Sequence, residues 1–134
     1  VAAVIWSKER RDLQSLGLGI FGDDAGAAAA LIAAVRLPQL VKAVVCRSGQ
    51  LEAARSVFTQ VMAPTLLITG DADSSYAGNT EALAAFSGTK NLEVITGASN
   101  LLQDSSQLDN VGKIAAAWFM LHLQLDTPNM PAQL

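Results

Sequence analysis

The stretch Leu16-Gly17-Leu18-Gly19-Ile20-Phe21-Gly22-Asp23-Asp24-Ala25-Gly26, running on into Ala27-Ala28-Ala29-Ala30-Leu31, decides the fold. Its first six residues are short and almost wholly apolar, the signature of a buried strand. Residues 22–26 hold two glycines and two aspartates, which is turn chemistry. The Ala-rich run that follows is helical in character and ends before Pro38, which cannot continue a helix. The segment therefore spells strand, sharp turn, helix. So tight a turn strains the backbone and crowds the helix against the strand, which is the reason for glycine on either side of the tip.

Working outward, the same order repeats. Residues 41–46 predict a second buried strand, closed by Arg47-Ser48-Gly49 and followed by a helix over residues 51–61. Pro64 opens a third strand over residues 65–69, and Gly70-Asp71-Ala72-Asp73-Ser74-Ser75 is a loop. Asn79 is expected to N-cap a helix through Phe86, with Glu81 in its first turn. Residues 92–96 predict a fourth strand and residues 97–103 a loop. Leu108, Val111, Ile114, Ala115, Trp118, Phe119 and Leu121 line one side of a last helix. On the N-terminal side, Ile5, Trp6, Leu13 and Leu16 oppose Lys8, Arg10, Arg11 and Asp12 at helical spacing, predicting one amphipathic helix over residues 2–16. Strands that alternate with helices and lack internal polar alternation predict an α/β fold: a three-layer sandwich with about four parallel strands. The domain is expected over residues 1–125, with residues 126–134 as a flexible tail carrying Pro128 and Pro131.

Composition agrees with a sheet covered on both faces. Of 134 residues, 51% are hydrophobic and 16% charged, and the mean hydropathy is +0.32. A net charge of −3, with basic residues scattered apart from Lys8, Arg10 and Arg11, supplies no positive stripe for phosphates, so no nucleic-acid partner is expected. The Ala-rich stretch over residues 25–35 falls short of the roughly 18 apolar residues of a membrane span, so no membrane partner is expected either. Cys46 is the only cysteine, which excludes an intrachain disulfide and makes the cytoplasm the default expectation.

Read with its flanks, Gly22-Asp23-Asp24-Ala25-Gly26 resembles the nucleophile elbow of the α/β hydrolases, G-x-S-x-G between a strand and a helix. Three further stretches follow in that superfamily's order. Ala63-Pro64-Thr65-Leu66-Leu67-Ile68-Thr69-Gly70-Asp71-Ala72-Asp73 resembles the strand and loop that deliver the acid. Gly97-Ala98-Ser99-Asn100 resembles the loop that delivers the histidine, and Ala116-Ala117-Trp118-Phe119 the closing helix. The resemblance is to the dienelactone-hydrolase-like branch and covers the C-terminal half of that fold. It places Asp24 at the nucleophile position, Asp73 at the acid position and Asn100 at the base position. An Asn side chain has no basic nitrogen at neutral pH, so the expectation is a chain without triad-based hydrolysis, acting by binding a protein or a small ligand.

The competing expectation is a divergent hydrolase of ester, lactone or haloalkane type. In it Asp24 itself attacks, as carboxylate nucleophiles do elsewhere in this fold, or a second subunit completes the site. Ala25, Cys46 and Arg47 are candidate ligand contacts, Ala25 because its N–H would serve as one oxyanion donor and Cys46 because it sits at a strand end. Asp23, Asp24, Asp71 and Asp73 lack the spacing of a calcium loop, so no metal and no cofactor is expected. In the full fold the nucleophile strand has neighbours on both sides, whereas here it is the first strand present. An apolar edge of this kind is a pairing liability, and the expectation is a homodimer that buries it or the adjoining helix faces around Trp6.

Overall fold

The computed structural model describes residues 1–100 and 104–123. The chain runs α1 (Ala2–Glu9), β1 (Leu18–Asp23), α2 (Ala25–Arg36), β2 (Val41–Arg47), a 3₁₀ segment (Glu52–Gln60), β3 (Thr65–Gly70), α3 (Tyr76–Ala85), β4 (Lys90–Ile95), a short 3₁₀ turn (Ser105–Gln107) and α4 (Leu108–His122). The four strands form one parallel sheet in the order β1-β2-β3-β4. Every residue of β3 is buried, as a strand covered on both faces must be, and this is why its sequence shows no polar alternation.

Two cores sandwich the sheet. On one face Ala27, Leu31 and Ala34 of α2 pack with Val44, Cys46, Phe58 and Leu67. On the other, Val111 and Ala115 of α4 pack on Val45, Leu66, Ile68 and Ile95. The alanines of α2 are what let that helix lie so close to the strands, since Ala27, Ala28, Ala30, Ala33 and Ala34 are all buried. This is the α/β three-layer sandwich with four parallel strands that the residue pattern predicts.

Three elements differ from the sequence expectation. The predicted helix over residues 2–16 stops at Glu9, and Arg10 turns extended at φ −80° and ψ 123°. Arg10 there pairs with Asp12, while Lys8 donates to the Leu16 carbonyl at 2.6 Å, so local polar bonds close a turn where periodicity alone continued the helix. The helix over residues 51–61 is a 3₁₀ segment, in which Glu52 and Arg55, three apart, eclipse and pair. Asn79 caps nothing. It lies inside α3, wholly buried, and its side-chain amide donates to the carbonyls of Gly49 at 2.9 Å and Ser75 at 2.7 Å. In α4, Val111 and Ala115 are buried as expected but Leu108 and Leu121 are exposed. The tail over residues 126–134 lies outside the described residues, as do residues 101–103 of the loop expected over residues 97–103.

Candidate ligand-binding site

At the C-terminal ends of the strands the β1-to-α2 turn places Asp24 at φ 51° and ψ −122°, one of two non-glycine residues with positive φ among the described residues. This is the strained tip that the flanking glycines implied. A Cβ on Gly22 would lie 2.6 Å from the Gly26 carbonyl oxygen and 2.7 Å from the Ala27 Cα, so glycine at 22 is required by the close approach of α2. A Cβ on Gly26 would meet nothing within 4 Å, so the second glycine, expected to be needed as well, is not sterically required. The tip is fixed on both sides. The Asp24 N–H donates to the Arg47 carbonyl at 3.2 Å, and the Asp24 carbonyl accepts from the N–H groups of Ala27 and Gln50.

Ser48, at the end of β2, is the second positive-φ residue, at 44°. Its buried hydroxyl donates to Asp73 Oδ2 at 3.0 Å, across from the loop after β3. Asp73 Oδ1 accepts from the Ser75 N–H at 2.9 Å and from the Ser75 hydroxyl at 2.8 Å. These bonds satisfy the charged carboxylate and fix its direction. The side-chain amide of Gln50 donates to Asp24 Oδ1 at 2.8 Å.

Asp24, Asp73 and Asn100 line one cleft of about 690 Å³, together with Ser48, Gln50, Glu52, Arg55 and Phe58 among others. The sequence reasoning missed Ser48, Gln50, Glu52 and Arg55. Only the Ser48-Gly49 break after β2 hinted at them, because their convergence depends on the order of the strands. Arg55 is held by two carboxylates, bonding Glu52 at 2.7 and 3.1 Å and Glu81 at 2.5 and 3.2 Å. The guanidinium holds the Glu52 carboxyl below its usual range, and Glu52 first, then Glu81, raises Arg55 well above its ordinary value.

The expected ligand contacts fare differently. Ala25 opens α2 beside the tip and is exposed, its N–H being one of the first-turn donors that a helix leaves unpaired. Cys46 is not at the cleft. It is wholly buried against the Ala27 carbonyl in the core, and burial pushes its thiol up to about 12, so the placement argues against a ligand contact and for a small core hydrophobe. Arg47 also stays off the cleft lining and pairs with Asp23, its register partner on β1. Among the described residues no three His, Cys, Asp or Glu side chains are grouped to hold a metal ion, and no helix is long and apolar enough to cross a membrane.

His122, the single histidine of the chain, is on α4, its ring centroid 4.3 Å from that of Trp118. Trp118 donates to the carbonyl of Pro64, just before β3, and Leu123 lies against Gly17, just before β1. The imidazole therefore sits toward the N-terminal ends of the strands, the opposite end of the sheet from Asp24.

No family model matches the chain. Among solved structures it is similar to the dienelactone hydrolase of Anabaena variabilis, with a TM-score of 0.86 and 40% identity, covering 91% of this chain and 57% of that one. It is also similar in fold to the Paleococcus ferrophilus monoacylglycerol lipase (TM-score 0.73, 13% identity, 90% of this chain and 74% of that one). The esterase domain of a Rhodothermus marinus protein is a third neighbour (TM-score 0.74, 20% identity, 91% and 66%). Two curated Mycobacterium tuberculosis proteins, provisionally named phosphoribosyl transferases, are 40% identical over 119 residues, or 88% of this chain. The chain spans 27% of the length of those curated relatives.

Proposed function

This chain carries the α/β-hydrolase fold and is similar to dienelactone hydrolase, and from that premise we propose that its strand-end cleft binds a small ligand without performing triad-based hydrolysis. One observation carries the reading: the single imidazole of the chain is packed on Trp118 and is not among the residues that line the cleft with Asp24. Attack by a hydroxyl needs a base that takes its proton and returns it to the leaving group. Asp24 has no hydroxyl to activate, and Asn100 offers no base. The elbow persists because Gly22 and the tip backbone are dictated by packing of α2 on β1, which is independent of the side chain at the tip.

The competing reading gives Asp24 the role of nucleophile. An ionised carboxylate attacks without a base, but hydrolysis of the resulting ester requires an activated water, and the other two carboxylates at the cleft are already engaged, Asp73 by Ser48 and Ser75 and Glu52 by Arg55. Turnover of a panel of esters, lactones and haloalkanes separates the two. The expected result is product release at the buffer rate, and release that Asp24→Ala abolishes overturns the proposal. The transferase activity in the names of the curated relatives is not assigned to this segment. It matches 27% of their length, and a cleft of three carboxylates with one committed guanidinium does not suit the pyrophosphate of a phosphoribosyl donor.

For partners, the proposal is a homodimer through the outer edge of β1. That strand ends the sheet, Phe21 on it is 43% exposed, and the groove beside it is lined by Val4, Leu18, Ile20, Phe21 and Ala30 with no charged side chain. Residues 1–125 are proposed as the domain and the cytoplasm as the location.

A further inference from the structure

We infer that two copies of this chain join β1 to β1 in antiparallel register about a two-fold axis at Phe21, merging two four-stranded sheets into one. The inference rests on the homodimer reading above and adds the pairing. The Asp24 N–H crosses to β2, where it donates to the Arg47 carbonyl. Backbone groups alternate sides along a strand, so Gly22 and Ile20 also turn theirs to β2. The N–H and C=O groups of Gly19, Phe21 and Asp23 therefore face the outer edge, which has no neighbouring strand among the described residues. Pairing with β2 slips between Leu18 and Gly19 and is regular from Gly19 to Asp23, and Phe21 is the middle of that regular run. An axis there pairs Phe21 with the partner's Phe21 and Gly19 with the partner's Asp23, so all three outward residues exchange bonds. An axis at Ile20 would set Asp23 opposite Gly17, outside β1, and an axis at Asp23 would set two carboxylates against each other.

The cross-strand neighbours fit. A Cβ on Gly19 would point at Phe119 of α4, so Gly19, Phe21 and Asp23 share the α4 face. The exposed Phe21 then meets its own copy, and Asp23 meets a residue without a side chain. Two further features select a second copy as the occupant. β1 holds no Lys, Arg or Pro, the residues with which an edge strand in water keeps other strands away. Its two ends are also complementary in charge. Lys8 donates to the Leu16 carbonyl at 2.6 Å, which holds at the N-terminal end of β1 an ammonium that is in no ion pair among the described residues. Asp23 and Asp24 close the C-terminal end. Antiparallel docking sets each ammonium at the end where the other copy's aspartates lie, twice by symmetry, whereas parallel docking sets like charges together.

The test is disulfide trapping of Phe21→Cys and Ile20→Cys in glutathione buffer at micromolar concentration, read on non-reducing gels beside sedimentation of the wild-type chain. Cys46 is buried and stays out of the exchange. Directly opposed residues of this kind have Cα atoms about 5.5 Å apart, within disulfide reach, so Phe21→Cys is expected to cross-link about tenfold more than Ile20→Cys. Amide exchange of the wild-type dimer gives the same reading without a substitution at the axis: the N–H groups of Gly19, Phe21 and Asp23 are expected to be protected. Lys8→Glu is expected to weaken association about tenfold, since the reversal acts twice per dimer. A wild-type dimer in which Ile20→Cys cross-links preferentially, or in which the three amides exchange freely, overturns the pairing and leaves a dimer through other faces. Association unchanged or tightened by Lys8→Glu overturns the antiparallel direction. A monomeric wild-type chain overturns the pairing and the homodimer together.

Discussion

Asp24 occupies a backbone conformation that L side chains rarely adopt, and among the described residues its side chain makes one hydrogen bond, to the exposed Gln50. Strain of this kind costs about 1–3 kcal/mol, so Asp24→Gly is expected to be neutral or stabilising in thermal unfolding, while Asp24→Val, with a branched Cβ, destabilises by about 2 kcal/mol. A marked loss of stability in Asp24→Gly would show that the carboxylate, not the turn, holds the tip. Cys46 supports a second prediction. Burial raises its thiol from the ordinary 9.0 to about 12, so the folded state holds a proton there that the unfolded chain releases. The associated stability is complete below pH 9.0 and is lost as pH rises toward about 12. Native protein should resist iodoacetamide at mildly alkaline pH and react once unfolded. At this scale the positions of Asp24, Asp73 and Asn100 were legible, because local motifs and their order carry them to one end of a parallel sheet. The true surroundings of Cys46 and Arg47 were not: both fall near the strand end the motif reading favoured, but their side chains point into the core and to Asp23, a choice set by the alternation of faces along β2.

At the scale of elements, the two glycines of the elbow separate cleanly. Gly22→Ala would press a methyl to within 2.6 Å of backbone and is expected to cost about 3 kcal/mol, whereas Gly26→Ala meets open space in a helix and is expected to gain about 1 kcal/mol. Equal effects in denaturant unfolding would contradict the geometry of α2 on β1. Gly70 is similarly bound, since a Cβ there would lie 2.0 Å from the Ala98 carbonyl oxygen and would push away the loop that carries Asn100. The strands and α2 were readable because apolar runs, turn residues and Pro38 mark them unambiguously. The end of α1 was not, because Leu13 and Leu16 continue the helical spacing while Arg10 pairing with Asp12 and Lys8 reaching Leu16 favour a turn. Asn79 misled for a related reason. Its residue type suits a cap, but inside α3 its amide donates to the Ser75 carbonyl one turn back and to the Gly49 carbonyl, a contact far away in sequence that no local pattern signals.

At the scale of the whole molecule, β1 ends the sheet among the described residues, and the chain covers 57% of the dienelactone hydrolase it resembles. An apolar strand with unpaired N–H and C=O groups along its edge favours pairing. Sedimentation at micromolar concentration is expected to give the mass of two chains, shifted toward one chain by Phe21→Lys, and a monodisperse monomer would refute the dimer. The fold class was legible because alternation of strand and helix survives in any segment of such a sheet. Which copy or chain covers the edge is not a property of local sequence at all. The proposal that this elbow is kept without triad chemistry is tested most directly by intact-mass spectrometry after incubation with a reactive haloalkane and an activated ester. The chain is expected to keep its unmodified mass and to release product at the buffer rate. A covalent adduct mapping to Asp24, or turnover that disappears in Asp24→Ala, would contradict it.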